Sequence, residues 1–263
     1  MKNSGSILSL GLVLVVLAGA LWLSAQHKNQ AVTLIRQAPL VTIAEALKAP
    51  TGLVAVRGIA HPEQERPLMA QASGLPCLYC DLTVWQEAWV WDDDEENPGQ
   101  VKEQRRVEQV VDSRPFRLED ATGNISVNPR HAQMDQLVVA LDVYEPLKQS
   151  EHLAQVKRRS DPQTNWSSEG KVTGYRYTEK ILPPERTIFV VGQVQRRQPQ
   201  QDRVELRAQS VKDPELLISM RSPDEAMSSL KAQATAAFLG AVVLGAAGLG
   251  CLGYGAIDGL NQL

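Results

Sequence analysis

The sequence predicts a mainly β (α+β) fold, a compact antiparallel β-barrel or sandwich flanked by two transmembrane helices. Residues 7–24 and 234–257 are apolar stretches without a charged residue, each long enough to cross a bilayer as a helix. Between them, short runs of β-branched and aromatic residues alternate with turn chemistry, the pattern of a β-rich body. The intervening chain suits one domain of ordinary size. The expected organisation is an anchor at 1–25, a soluble β-rich domain at 26–221, and a juxtamembrane and transmembrane helix with a short tail at 222–263.

The first apolar stretch has a signal-peptide alternative, because Ala18, Gly19 and Ala20 form a small-x-small cleavage pattern behind Lys2. The apolar run continues past that pattern through Leu21, Trp22 and Leu23, which favours a retained anchor. Lys2 on one flank and Lys28 and Arg36 on the other leave the positive-inside count nearly balanced. Residues 41–47 read as a short helix, with Thr42 as its cap, Glu45 three positions on and Pro50 beyond its end. Residues 52–58 read as a strand. Residues 76–91 form the longest strand-rich stretch, with Trp89 and Trp91 on one face of a half-buried sheet.

An acidic run followed by Asn97, Pro98 and Gly99 makes 92–99 a hairpin tip, returning through 101–111. Further strands are expected at 116–118, 124–127, 137–143, 171–182, 187–195 and 203–211, with a long polar insertion at 149–170. Ser222 caps a last helix, Pro223 fits its first position and Glu225 completes a capping box. No proline or charged turn follows before Ile257, so one continuous helix is expected over 222–257. At about 1.5 Å per residue it exceeds a hydrocarbon core of ~30 Å, and its first turns would form a stalk with Lys231 near the interface.

The net charge of −3 argues against a nucleic-acid partner, which needs a basic face. Cys77, Leu78, Tyr79 and Cys80 form a lone CxxC. In a continuous strand, positions three apart point to opposite faces. Ordinary strand residues are therefore the leading reading, with a disulfide or redox pair and a metal site as alternatives. His61, His131 and His152 show no paired ligand spacing. The acidic run at 92–96 reads as a solvated tip, since Asn97 stands where a calcium loop needs glycine. Gly248, Gly250 and Gly253 match GxGxxG but lie in an apolar helix without a preceding strand. Ala237, Ala241 and Gly245 form a small-xxx-small face for close helix packing. The first helix is the expected partner of that face, or a second copy of the chain in a homo-oligomer. No GxSxG, HExxH or Walker sequence is present. The sequence assigns no catalytic residue, cofactor or metal.

Four segments resemble one family. Tyr175, Arg176, Tyr177, Thr178, Glu179, Lys180, Ile181, Leu182, Pro183 and Pro184 are similar to the signature of the GIDE-type domain. This is the "beside a membrane" domain of MULAN-like mitochondrial and plastid ubiquitin ligases and their prokaryotic relatives. Pro76, Cys77 and Tyr79 resemble its Pro-Cys-x-Tyr strand. Pro115, Phe116, Asp120, Thr122 and Gly123 resemble its Pro-Phe…Asp-x-Thr-Gly segment, and Val127, Asn128 and Pro129 its Val-Asp-Pro. The segments occur in the family's order over residues 52–195.

The resemblance implies two flanking membrane helices, with both termini on one side and the domain on the other. It also implies membrane-associated partners and a link to ubiquitin transfer. Two departures stand out. Glu185 and Arg186 follow the paired prolines, where the family often has glycine. The ligases carry a RING of eight Cys or His ligands after the second helix, whereas residues 258–263 contain neither type. The expected function is a membrane-anchored binding or scaffolding domain without that module. The alternative is a ligase-like accessory subunit that borrows a RING partner. The motif residues read as structural, and Glu179 as a partly buried carboxylate bonded to a backbone donor.

Overall fold

The computed structural model describes residues 3–48, 52–64, 67–92, 99–147, 171–196, 204–207 and 216–260. The expected hairpin tip, apart from Asp92 and Gly99, and the expected insertion at 149–170 lie outside these. Three helices are present among the described residues: α1 (Asn3–Gln37), α2 (Ile43–Lys48) and α3 (Pro223–Leu260). The chain divides into two compact units, Met1–Pro39 with Arg221–Leu263, and Leu40–Met220.

The first unit is an antiparallel pair of long helices. Gly11 lies beside Gly248 and Leu252, Ala18 beside Gly245, and Leu21 beside Gly240. Further along, the Lys28 ammonium donates to Gln233 Oε1. A Cβ at Gly248 would sit 3.0 Å from the Gly11 carbonyl oxygen and from Val15, so glycine permits the backbones to approach. The small-residue face at Ala237, Ala241 and Gly245 is thus turned to the chain's own first helix: Ala241 is buried, and a Cβ on Gly245 would rest 3.7 Å from Ala18. α1 does not end with its apolar stretch. It runs on to Gln37, continuing the buried stripe through Ala25, Ala31, Val32 and Ile35. At the start of α3, the Ser222 N–H donates to Glu225 at 3.1 Å and the Glu225 N–H to Ser222 Oγ at 3.4 Å, forming the reciprocal capping box. Ser9–Gln37 and Pro223–Tyr254 are long and apolar enough to cross a membrane.

The second unit is β-rich. Its strands are β1 (Gly52–Pro62), β2 (Leu68–Met69), β3 (Pro76–Cys77), β4 (Tyr79–Asp92), β5 (Gly99–Ser113), β6 (Phe116–Asp120) and β7 (Gly123–Val127). There follow β8 (Gln133–Asp135), β9 (Val138–Pro146), β10 (Lys171–Leu182), β11 (Arg186–Arg196), β12 (Val204–Arg207) and β13 (Leu217–Ser219). Seven strands pair in the order β1-β6-β7-β12-β11-β13-β8, and β1 also pairs with β11, so this sheet curls back on itself. β5-β4-β10-β9 form a second, antiparallel sheet, and β2 pairs with β3.

The unit is sandwich-like, with one correction to a purely antiparallel fold. β12 runs parallel to β7, and β13 parallel to β8. Both strands reach their partners by long connections and not by hairpins, which frees their direction. β2, β8 and β13, two or three residues each, were not expected.

One core spans both sheets. Ile43 and Ala46 of α2, Val56, Phe116, Leu118, Ile125, Val190 and Leu206 are all essentially inaccessible, and Leu182 from the second sheet and Leu78, just before β4, join them. Tyr175 and Tyr177 alternate onto one buried face with Leu82 and Val84. Trp89 departs from the half-buried expectation. It is 41 % exposed, on the far side of the sheet from those tyrosines.

Candidate functional site

The motif residues converge on polar anchors that tie chain segments together. The first lies at the turn between β6 and β7. Asp120 Oδ2 accepts the Ile43 N–H at 2.9 Å, and Thr122 Oγ1 accepts the Ala44 N–H at 3.0 Å. Thr42 Oγ1 accepts the next donor, the Glu45 N–H, at 3.3 Å. These are first-turn groups that have no partner within a helix. Asp120 Oδ1 also holds its own turn, accepting the Thr122 N–H at 2.7 Å, the Thr122 hydroxyl at 2.6 Å and the Gly123 N–H at 3.1 Å. Burial raises the Asp120 pKa, but the bonds from Thr122, Ile43 and Gly123 outweigh it and hold the carboxyl below the usual range.

The second anchor is Glu179, fully buried in β10. Its carboxylate accepts the Ala72 and Ser73 N–H groups at 2.8 Å each, and the Cys80 thiol donates to Oε1 at 3.4 Å. Burial alone would raise its pKa. The Ser73 hydroxyl, the two backbone donors and Cys80 reverse that and hold it low. The anchored segment is the turn between β2 and β3, which needs left-handed backbone at Gly74 (φ 69°).

The CxxC departs from expectation. The strand is interrupted at Leu78, which donates its N–H to the Leu182 carbonyl at 2.8 Å and lies between β3 and β4. The alternation rule therefore does not run from Cys77 to Cys80. Both thiols enter one buried cluster with Leu68, Ala70 and Ile181. A bond to Cys77, burial and the nearby Glu179 push the Cys80 thiol up, while the bond from Cys80 holds Cys77 below its usual range.

Among the described residues these groups sit at separate anchors, Asp120 at the turn before β7 and Glu179 beside the cysteines. A shallow groove of about 420 Å³ is lined by Arg57, Gly58, Ile59, His61, Glu119, Asp120, Ala121 and Thr187. It pairs no nucleophile with a base, and Asp120 is already committed to α2. His131 stands exposed on the turn before β8. Among the described residues no three His, Cys, Asp or Glu side chains could hold a metal ion.

The model of the GIDE family, described as E3 ubiquitin ligase, matches residues 91–253. The chain belongs to the GIDE family. No curated protein and no solved structure matches it. The matched span takes in Asp120, Thr122, Gly123, the whole of β10 and most of α3, so the GIDE domain here is a ubiquitin-ligase-related domain. Cys77 and Cys80 precede that span.

The remaining residues of the expected motif have structural places. Phe116 and Leu182 are core residues, Pro129 is buried, and Pro76 and Pro115 are exposed. Tyr79 is half-buried, and burial with the nearby Asp81 and Cys80 pushes its hydroxyl up to about 12. Thr178 donates to Asp142 at 3.5 Å, which Arg176 clamps with two bonds of 2.8 Å. Pro183 and Pro184 end β10, and the corner closes as the Glu185 N–H donates to the Ala60 carbonyl at 2.8 Å. Where the GIDE pattern often has glycine, Glu185 adopts φ 58°. Its carboxylate lies 2.7 Å from His61 Nδ1.

Sequence reasoning missed the bond from Asp120 to α2, which joins residues 77 positions apart. It also missed Glu87, a buried carboxylate held by Lys102 and Gln104, with Lys102 lying 5.2 Å over the Tyr144 ring. The alternation of β4 was the available signal, since Glu87 shares its outer face with Trp85 and Trp89.

Proposed function

We propose that this chain is a two-pass, membrane-anchored GIDE domain that binds or scaffolds partners at the membrane surface and catalyses no ubiquitin transfer itself. The family match supports this reading, because it runs from residue 91 through the rest of the β-rich unit and most of the second apolar helix. The helix pair supports the membrane. Its outward residues include Leu12, Val16, Phe238, Leu239, Val243 and Leu249, with Trp22 and Tyr254 exposed towards opposite ends. The apolar part of α1, residues 9–25, measures about 25 Å, close to a hydrocarbon core, and aromatic residues favour its two faces. On this reading both termini lie on one side and the GIDE domain on the other.

Two features support binding over catalysis. The motif carboxylates hold backbone donors, and the groove holds no reactive pair. The partner class this reading takes is a ubiquitin ligase that supplies the RING. The decisive assay incubates the purified chain with activating and conjugating enzymes, ubiquitin and ATP. No chains should form until a separate RING ligase is added. Ubiquitin chains formed by this protein alone would refute the proposal.

A further inference from the structure

The bend at Leu78 brings together two thiols and a carboxylate that the GIDE motif does not otherwise explain as a set. Cys77 and Cys80 are 0 % and 1 % exposed, and they share one buried cluster. Only Cys80 touches Glu179, donating its S–H to Oε1 at 3.4 Å. The pair is thus asymmetric, with one thiol held against a carboxylate and the other free of it. Two cysteines buried solely as small apolar residues need no carboxylate beside them. Dithiol sites use such asymmetry: one sulfur attacks and the other resolves.

We propose that Cys77 and Cys80 form a reversible dithiol–disulfide couple, with Cys77 as the attacking sulfur and Glu179 positioning Cys80. The oxidant is a small-molecule disulfide. The Cys77 thiolate attacks one of its sulfurs, the S–S bond breaks, and one thiol leaves with a proton. This gives a mixed disulfide on Cys77. The Cys80 sulfur, positioned by its bond to Glu179 Oε1, then attacks Cys77 Sγ, the mixed S–S bond breaks, and the second small thiolate leaves with the Cys80 proton as a thiol. In total two protein thiols and one small disulfide become one protein disulfide and two small thiols.

The lowered Cys77 and raised Cys80 pKa directions agree with these roles. Burial sets the rate, because a small disulfide reaches Cys77 only when the covering turn lifts. That turn is held by the Ala72 and Ser73 N–H bonds to Glu179 and by the Gly74 N–H to the Ala70 carbonyl at 3.0 Å. Oxidation removes the Cys80 donor from Glu179, so the redox state of the pair reports on the turn it anchors.

The test uses the full chain in detergent with Cys251→Ala, which leaves this pair as the sole cysteines. The protein is equilibrated in glutathione buffers of graded redox ratio, acid-quenched, unfolded and labelled with maleimide for intact-mass analysis. Two labels should give way to none in one two-electron transition, and dithiothreitol should restore both. Cys80→Ser should trap glutathione on Cys77. Glu179→Gln, which weakens the charged hold on the turn, should speed mixed-disulfide formation about tenfold, and its pH profile for disulfide closure should shift. Two labels surviving the most oxidising buffer, with the domain shown folded by circular dichroism, would overturn the couple. Trapping on Cys80 in preference to Cys77 would overturn the roles. Neither result bears on ubiquitin transfer, so the proposed function stands or falls separately.

Discussion

Replacing Asp120 with alanine should release helix α2 from the β-rich unit. Six residues are far too few for a helix to persist alone in water, so α2 depends on docking and capping. Its docking comes from Ile43 and Ala46, both fully buried. Its capping comes from Asp120 for the Ile43 N–H, Thr122 for the Ala44 N–H and Thr42 for the Glu45 N–H. Alanine strips the first cap and also the two backbone bonds that shape the β6–β7 turn, misplacing Thr122 and weakening the second. A lost cap costs about 1 kcal/mol and each weakened charge-assisted turn bond a similar amount, so Asp120→Ala should cost about 3 kcal/mol. Asparagine keeps the acceptor without the charge and should cost about 1 kcal/mol.

Hydrogen exchange of the Ile43–Lys48 amides, followed by mass spectrometry, reads this directly. About 3 kcal/mol corresponds to a loss of protection of roughly a hundredfold, local to α2 and the turn after β6. The pH dependence has a defined sign. A carboxyl with a lowered folded pKa stabilises the fold fully above its unfolded value of about 3.9, and that contribution disappears as pH falls through the folded value. Wild-type α2 should therefore loosen only in acid, and Asp120→Asn should flatten that dependence. Protection in Asp120→Ala within threefold of wild type at neutral pH would show that apolar docking alone holds the helix, and the anchor reading would fail.

Other perturbations probe the remaining contacts. Glu179→Gln should cost about 2 kcal/mol in urea unfolding, because a neutral amide replaces a buried charged acceptor of two N–H bonds; a neutral result would contradict the anchor. Glu185→Gly relieves left-handed backbone and should stabilise by about 0.5 kcal/mol, whereas Glu185→Val should destabilise by about 1–2 kcal/mol, and the reverse order would contradict the geometry. Gly174→Ala would place a Cβ 2.3 Å from the Glu145 carbonyl oxygen and 2.7 Å from the Tyr144 hydroxyl, and should cost about 1–3 kcal/mol and loosen β9 in hydrogen exchange. With Cys251 replaced, cysteines at Gly11 and Gly248 should crosslink within one chain; crosslinks solely between chains would mean that α3 packs against a second copy.

What the sequence made legible was local. The caps at Thr42 with Glu45 and at Ser222 with Glu225 form within four consecutive residues, and both appear as expected. The strand at 171–182 shows through its alternation and the two prolines that stop it. Contacts across long separations were hidden. No local pattern announces that Asp120 caps a helix 77 positions earlier, or that Glu179 holds a turn 106 positions away. The CxxC was misread for a related reason: alternation was carried through Leu78, where a bond to the Leu182 carbonyl interrupts the strand. The single helix expected over 222–257 is present as α3, and α1 also runs past its apolar stretch to Gln37, which its composition did not announce.

The motif carboxylates also bear on what chemistry this GIDE domain can support. A general acid needs a proton at working pH, so its pKa must be raised towards neutrality. Asp120 and Glu179 are shifted the other way, because each accepts several donors that favour the charged form. Both are ionised at neutral pH and too weakly basic to act well as general bases on a substrate. Protonating either would also leave several N–H groups poorly matched. The hydrogen bonds that make these residues good anchors thus make them poor catalysts. Glu179 in the proposed thiol couple is no exception, since there it positions Cys80 and keeps its charge. A domain whose motif residues are occupied in this way can vary where the corner is open to solvent, as at Glu185, while its buried anchors stay tied to the fold.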